Sequence, residues 1–260
     1  MKQVWLAGAL ALVGGMAAAQ EIHIVHCFEG ACPTGTPDTN DLIVREVYAL
    51  SSNDETKLAD WVAYRVTRET IGTSADLNRG WETDEFLDED ETLEAGSGRR
   101  DDYHGANSAS DYDRGHQAPL ASFAGTVFWR TTNIYSNITP QRADLNQGAW
   151  VALEDAVRDL AYAQRAVWVV TGPVYEREMP ALGNAGEDHA VPSGYWKVIV
   201  NEHGHASAFF FDQATPRDAD YCDRRTTLAD IETRSGLSLF PGHSIEIAEL
   251  DFALGCSVQH

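Results

Sequence analysis

Runs of β-branched and aromatic residues, separated by polar turns, recur along this chain and read as strands. "IVREVYAL" (Ile43–Leu50) and "WVAYRVT" (Trp61–Thr67) come first, and "AVWVVTGPVY" (Ala166–Tyr175), "YWKVIVN" (Tyr195–Asn201) and "ASAFFFDQ" (Ala206–Gln213) follow. Between the two groups the period changes. In "NQGAWVALEDAVRDLAYA" (Asn146–Ala163), Trp150, Leu153, Val157, Leu160 and Ala161 recur at helical spacing and form one apolar stripe. A shorter helix is expected after Thr227, with Asp230 completing a capping pattern and Gly236 ending it. Strands on either side of one long helix, without regular alternation, predict an α+β fold with a central, mostly antiparallel sheet flanked by helices.

Composition adds a core and a charge problem. At 43% hydrophobic residues the 260-residue chain can bury a sizeable interior, and no repeat or long linker divides it. The formal net charge of -21 excludes the broad basic footprint of a simple nucleic-acid binder. Any site for a polyanion must be a local cluster of Arg and Lys.

The first residues read as an export signal. Lys2, the apolar run "VWLAGALALVGGM" and the small-residue stretch "AAAQ" predict cleavage near Ala19. The expected organisation is a signal peptide over residues 1–19 and a single domain over 20–260, secreted or periplasmic. The apolar run is short for a membrane span, so no membrane partner is expected. Losing Lys2 leaves 18 basic against 40 acidic residues, a formal charge of -22.

Four cysteines, Cys27, Cys32, Cys222 and Cys256, allow three disulfide pairings in an exported chain, and sequence proximity suggests 27–32 and 222–256. A zinc site built from His23, His26, Cys27 and Cys32 is the competing reading, although its spacing fits no standard zinc knuckle. Residues 20–40 look irregular. Residues 82–103, "ETDEFLDEDETLEAGSGRRDDY", lack the ligand ladder and central glycine of an EF-hand and read as a solvated acidic loop. Asn137-Ile-Thr139 is a glycosylation sequon on paper only, because it sits among candidate site residues.

The chemistry concentrates in "DYDRGHQAPLAS" (Asp111–Ser122). Breaking a phosphodiester needs a base for water, a cation for the transition state and something to stabilise the leaving oxygen. Imidazole suits the first task near neutral pH, guanidinium the second, and a hard divalent cation with oxygen ligands the third. In an extended segment Arg114 and His116 would share a face, with Gly115 leaving room for a substrate backbone. The bland reading is a surface turn. Farther on, Asn146 stands where the long helix should begin, the place of an N-cap. Glu154 lies about 80° round the helix and roughly 12 Å along it. That separation suits Asn146 as a direct ligand of Mg²⁺ and Glu154 as holder of a metal-bound water. The bland reading of Glu154 is an i,i+4 ion pair with Arg158.

"DRGHQAPLAS" followed by "SNITPQRADLNQGAWVALED" resembles the DNA/RNA non-specific endonuclease family, whose core is the ββα-metal motif. "WVAYRVT", "VTGPVYERE", "VPSGYWKVI" and "FFFDQATPRDADYC" also match in order, so the likeness covers nearly all of the chain after the signal. The resemblance implies a secreted endonuclease that hydrolyses DNA and RNA to 5′-phosphorylated oligonucleotides with Mg²⁺, Mn²⁺ being a possible substitute. It implies His116 as general base, Asn146 as the sole direct protein ligand of the metal, and Glu154 as orienter of its water shell. Arg79 (in "LNRGW") and Arg114 would contact phosphate, with Arg158, Gln141 and Asn137 in support. Asp113 would be structural, paired with a nearby cation. The family also implies the disulfides Cys27–Cys32 and Cys222–Cys256, and it leaves a homodimer open.

Two features depart from the family pattern. Four residues separate Cys27 from Cys32 where three are expected, and the segment between Arg79 and Asp113 is unusually acidic. The second departure predicts an activity optimum at raised salt, since salt screens the repulsion of a polyanion. The rivals are a metal phosphodiesterase for another substrate and a non-catalytic nucleic-acid or protein binding module. The latter would need a broken His116, Asn146 or Glu154, and all three are intact.

Overall fold

Strand pairing builds the frame of this protein, whose computed structural model describes residues 22–257. The signal-peptide expectation for residues 1–19 lies outside the described residues. The strands are β1 (Asp41–Val44), β2 (Ala49–Asn53), β3 (Leu58–Val66), β4 (Tyr112–His116) and β5 (Ile138–Arg142). They continue with β6 (Val167–Val174), β7 (Gly194–Asn201), β8 (His205–Asp212), β9 (Arg225–Thr226) and β10 (Glu246–Ile247). Eight of them form one sheet, in the order β1-β2-β3-β6-β7-β8-β10 with β9 also pairing β8. Every pairing in it is antiparallel except β8 with β10. A separate antiparallel pair, β4 and β5, stands outside this sheet.

The five α-helices among the described residues are α1 (Ala106–Ser110), α2 (Leu120–Phe123), α3 (Ala143–Leu145), α4 (Val151–Ala163) and α5 (Leu228–Ser235). The period-two alternation of the strands feeds two cores, one on each face. Val62, Tyr64, Val169, Tyr195, Ile199, Phe209 and Phe211 meet Leu153, Val157 and Leu160 of α4. Trp61, Ala63, Val170, Trp196, Val198 and Ala208 face the other way, onto Ile231 of α5 and onto Cys27 and Phe28 of the N-terminal segment. The α+β expectation therefore holds, with helices on both faces.

Several expectations need correction in detail. Ile43–Leu50 is not one strand but the turn of a hairpin: Arg45 and Glu46 interrupt the apolar run, and the Arg45 amide donates to the Tyr48 carbonyl at 2.8 Å. The 82–103 stretch is only partly solvated. Asp84, Asp101 and Asp102 are buried, Leu87, Leu93 and Tyr103 pack into cores, and Asp84 pairs with Arg45. The capping at α5 is also half of what the pattern suggested. Thr227 accepts from the Asp230 amide and Gly236 closes the helix at φ +73°, but the Asp230 carboxylate turns to Thr226 and Arg234.

Both proximal disulfides are formed, Cys27–Cys32 and Cys222–Cys256. That removes the zinc alternative, because the two thiols are joined to each other and His26 Nε2 bonds the Arg45 carbonyl at 2.8 Å. Among the described residues no helix is long and apolar enough to cross a membrane.

Candidate active site

The β4–β5 ladder sets the register of the site. Arg114 lies opposite Pro140 and His116 opposite Ile138, so the two side chains project together as alternation requires. Trp81 lies against both, 5.5 Å from the His116 ring and 5.4 Å below the Arg114 guanidinium. Gly115 has a different purpose from the one expected. A Cβ there would meet Gln141 Cβ at 2.7 Å and Oε1 at 2.6 Å, so the glycine makes room for a neighbouring side chain and not for substrate.

Asn146 is not an N-cap. The helix begins earlier, at Ala143, and Asn146 sits inside it at φ -59°, ψ -44°. Residues Asn146–Trp150 form a π-helical turn before α4 continues. A π turn absorbs one extra residue, so Asn146 and Glu154 return from about 80° apart to about 20° apart. The break falls at Gly148 (φ -115°, ψ -117°), where a Cβ would stand 2.4 Å from the Arg217 carbonyl. Close packing against a distant loop thus aims both side chains the same way.

Asp113 holds the Asn146 amide in one orientation. Its Oδ2 accepts from Asn146 Nδ2 at 2.9 Å and Gln147 Nε2 at 2.7 Å, while Oδ1 accepts from Asn107 at 2.9 Å. Its partners are amides, where a cation was expected. With Nδ2 engaged, Asn146 Oδ1 accepts no hydrogen bond among the described residues and is the free end of the amide.

His116 Nε2 lies 3.0 Å from Asn133 Oδ1, an atom that can only accept. This pairing puts the ring proton on Nε2 and the lone pair on Nδ1. Burial pushes the imidazole down to about 4, Arg79 pushes the same way, and the Asn133 bond opposes them in part. The ring is therefore neutral at physiological pH and able to take up a proton.

Glu154 is buried and its Oε1 has no hydrogen-bond partner. Burial raises the carboxyl above its ordinary range, while Lys197 and Arg158 lower it. The bland alternative for Glu154, an ion pair with Arg158, is not formed. Arg158 pairs with Asp155, one turn away at i,i+3, and Glu154 instead faces Lys197, with Nζ 3.8 Å from Oε1.

Arg114 is pinned from three sides. Nη2 donates to Asp101 at 2.8 Å, Nε donates to the Tyr135 hydroxyl at 2.7 Å, and Tyr103, Tyr135 and Trp81 surround it with rings. Arg79 is exposed at the mouth.

These side chains meet. His116, Asn146, Glu154, Arg79, Arg114 and Arg158 all line one cavity of about 470 Å³. A second hollow of about 720 Å³ adjoins it, sharing Arg79, Arg114, Asn146 and Gln147 and adding Trp81 and Tyr103.

Two expected members are absent from both. Asn137 is fully buried and spends its amide on Ala118 and Thr132, which also makes the sequon unusable. Gln141 is equally buried, behind Gly115. A group of three carboxylates that could hold a cation, Asp41, Asp54 and Glu91, shares no residue with the cavity.

Sequence reasoning passed over Asp101, Tyr135, Asn133 and Lys197. Only the last carried a visible signal, a lone cation inside the apolar run "YWKVIV".

Comparison with known proteins identifies the family. The sequence pattern of the DNA/RNA non-specific endonuclease family matches residues 31–244. The chain is 44% identical over 243 residues to a nuclease of Serratia marcescens, covering 91% of this chain and 88% of that protein. It is 32% identical over 181 residues to human mitochondrial endonuclease G, covering 65% of this chain and 57% of that protein. The fold resembles the chain in a crystal structure of an EndoG/EndoGI complex, at a TM-score of 0.65 and 22% identity over 81% of this chain and 89% of that one. Matched over most of its length by the family pattern and by the Serratia marcescens nuclease, this chain, with His116, Asn146 and Glu154 on a ββα unit beside its large sheet, belongs to the DNA/RNA non-specific endonuclease family.

Proposed function

We propose that this chain is a secreted endonuclease that hydrolyses DNA and RNA with little sequence preference, leaving 5′-phosphorylated oligonucleotides, and that Mg²⁺ is its cofactor. The observation that carries the reading is the convergence of a neutral histidine, a free amide oxygen, a buried carboxylate and three arginines on one cavity. In a chain of charge -21 this local concentration of guanidinium groups is what a phosphate needs.

The donor set fits a hard divalent cation. Asn146 Oδ1 is unengaged while its Nδ2 is held by Asp113, and Glu154 brings a buried carboxylate to the same cavity. Asn146 would hold the ion directly and Glu154 would hold its water shell. The ion would supply positive charge at the oxygens that gain negative charge as the bond breaks.

The rest of the chemistry belongs to the protein. His116 Nδ1 accepts a proton from the attacking water while Asn133 keeps the ring oriented. Arg79 and Arg114 bind the phosphate oxygens, Arg114 held in place by Asp101 and Tyr135. Arg158 adds positive potential at the cavity wall beside α4. Contacts of this kind read the backbone and not the bases, which accounts for weak sequence preference.

Two disulfides support residence in an oxidising compartment, with residues 1–19 removed as a signal peptide and 20–260 acting as one endonuclease domain. The test is incubation of the purified protein with supercoiled plasmid, total RNA, and lipid or small-nucleotide phosphodiesters, with Mg²⁺ and with EDTA. Metal-dependent loss of plasmid and RNA alone is expected. Cleavage confined to the small phosphodiesters would overturn the proposal.

A further inference from the structure

Lys197 occupies the middle of β7 with its side chain fully buried. β7 is paired on both edges, to β6 and β8, so the point from which this side chain departs is fixed. By alternation it projects with Tyr195 and Ile199 toward the core that receives α4. An ammonium is strongly disfavoured in such a place unless a counter-charge compensates it.

The compensation comes from few groups. Nζ lies 3.2 Å from the Tyr64 hydroxyl, 4.1 Å from the centre of the Trp150 ring and 3.8 Å from Glu154 Oε1. Tyr64 and Trp150 are neutral, so Glu154 supplies the negative charge of the cluster. Lys197 is the cation in direct ion-pair range of Glu154 among the described residues, since Arg158 makes its own ion pair with Asp155 and acts on Glu154 only from farther off. Lys197 itself does not line the cavity. Whatever it does for the reaction must pass through Glu154.

We propose that Lys197 is a positioning residue: from inside the core it holds the Glu154 carboxylate aimed into the cavity. The proposal rests on the endonuclease reading given above. It divides the labour at Glu154 between two elements. The helix carries the carboxylate to the cavity, and the sheet supplies, from behind, the fixed charge that makes a buried carboxylate tolerable. Oε1 faces the lysine, and Glu154 itself lines the cavity.

Three variants test it: Lys197→Met, Glu154→Gln and the two combined, each compared with wild type. Plasmid cleavage by K197M should lose about 10- to 100-fold in kcat, the usual range for a partner that orients a ligand-holding side chain, with KM little changed. Adding E154Q to K197M should cost no further activity beyond that of E154Q alone. In the metal-free proteins, K197M should melt below wild type, and the double variant should melt above K197M because no buried carboxylate is left without its counter-charge.

K197M with wild-type kcat would overturn the proposal. So would losses of activity and melting temperature that simply add in the double variant, or failure of both K197M and the double variant to fold. Wild-type protein that cuts no nucleic acid would instead overturn the endonuclease reading, which the melting comparison does not depend on.

Discussion

Replacing Asp113 by alanine tests whether the Asn146 amide must be held in one orientation. Asp113 accepts three side-chain hydrogen bonds, and the one from Asn146 Nδ2 at 2.9 Å decides which end of that amide faces the cavity. Without it the amide can turn, presenting its NH₂ where an oxygen is needed. A hydrogen bond to an ionised carboxylate contributes about 1.5–3 kcal/mol, and Asp113 is partly exposed, so the lower end applies. Since about 1.4 kcal/mol is tenfold in an equilibrium constant, apparent Mg²⁺ affinity should fall roughly tenfold. The assay is the rate of supercoiled plasmid relaxation across a Mg²⁺ titration. D113A should need about ten times more Mg²⁺ for half-maximal rate and recover much of its kcat at saturation. An unchanged Mg²⁺ dependence would show that Asp113 does not orient the Asn146 amide for a metal.

Three further outcomes follow from the same geometry. Gly115→Ala would drive a Cβ to 2.6 Å from Gln141 Oε1 and should destabilise the protein by about 1–3 kcal/mol in denaturant unfolding, whereas a stability equal to wild type would contradict the packing described. In the metal-free protein, NMR titration should find the His116 ring neutral down to about pH 4. Its depressed pKa means that it stabilises the fold fully above its ordinary value of 6.5 and loses that contribution as pH falls toward 4. A midpoint near 6.5 would refute the burial argument. Cleavage rate should rise from the lowest salt to a maximum before counterion release reduces it, and a monotonic fall from the lowest salt would remove the screening argument.

The sheet was readable because β-branched runs bury alternate residues, and the grouping of His116, Asn146 and Glu154 at one cavity was readable because they stand in long specific motifs. What escaped the sequence was set by contacts between distant segments. The π turn at Asn146–Trp150 depends on Gly148 meeting the Arg217 carbonyl, so the ideal-helix phase gave the wrong angle to Glu154. Asp101 looked like one acid among many, yet it is the residue that fixes Arg114. Asn137 and Gln141 are polar residues in a motif, which suggests substrate contact, and only the structure shows that both are buried away from the cavity. A lone lysine in an apolar strand was visible, but its partner on α4 was not.

The most direct test of the central claim is the rate at which His116→Ala cuts supercoiled plasmid and total RNA beside wild type, in saturating Mg²⁺. A folded variant that has lost about 10²–10⁴-fold on both substrates is the predicted result, the span attributed to a positioned general base. A folded H116A that cuts either substrate at the wild-type rate would contradict the assignment and move the chemistry out of this cavity.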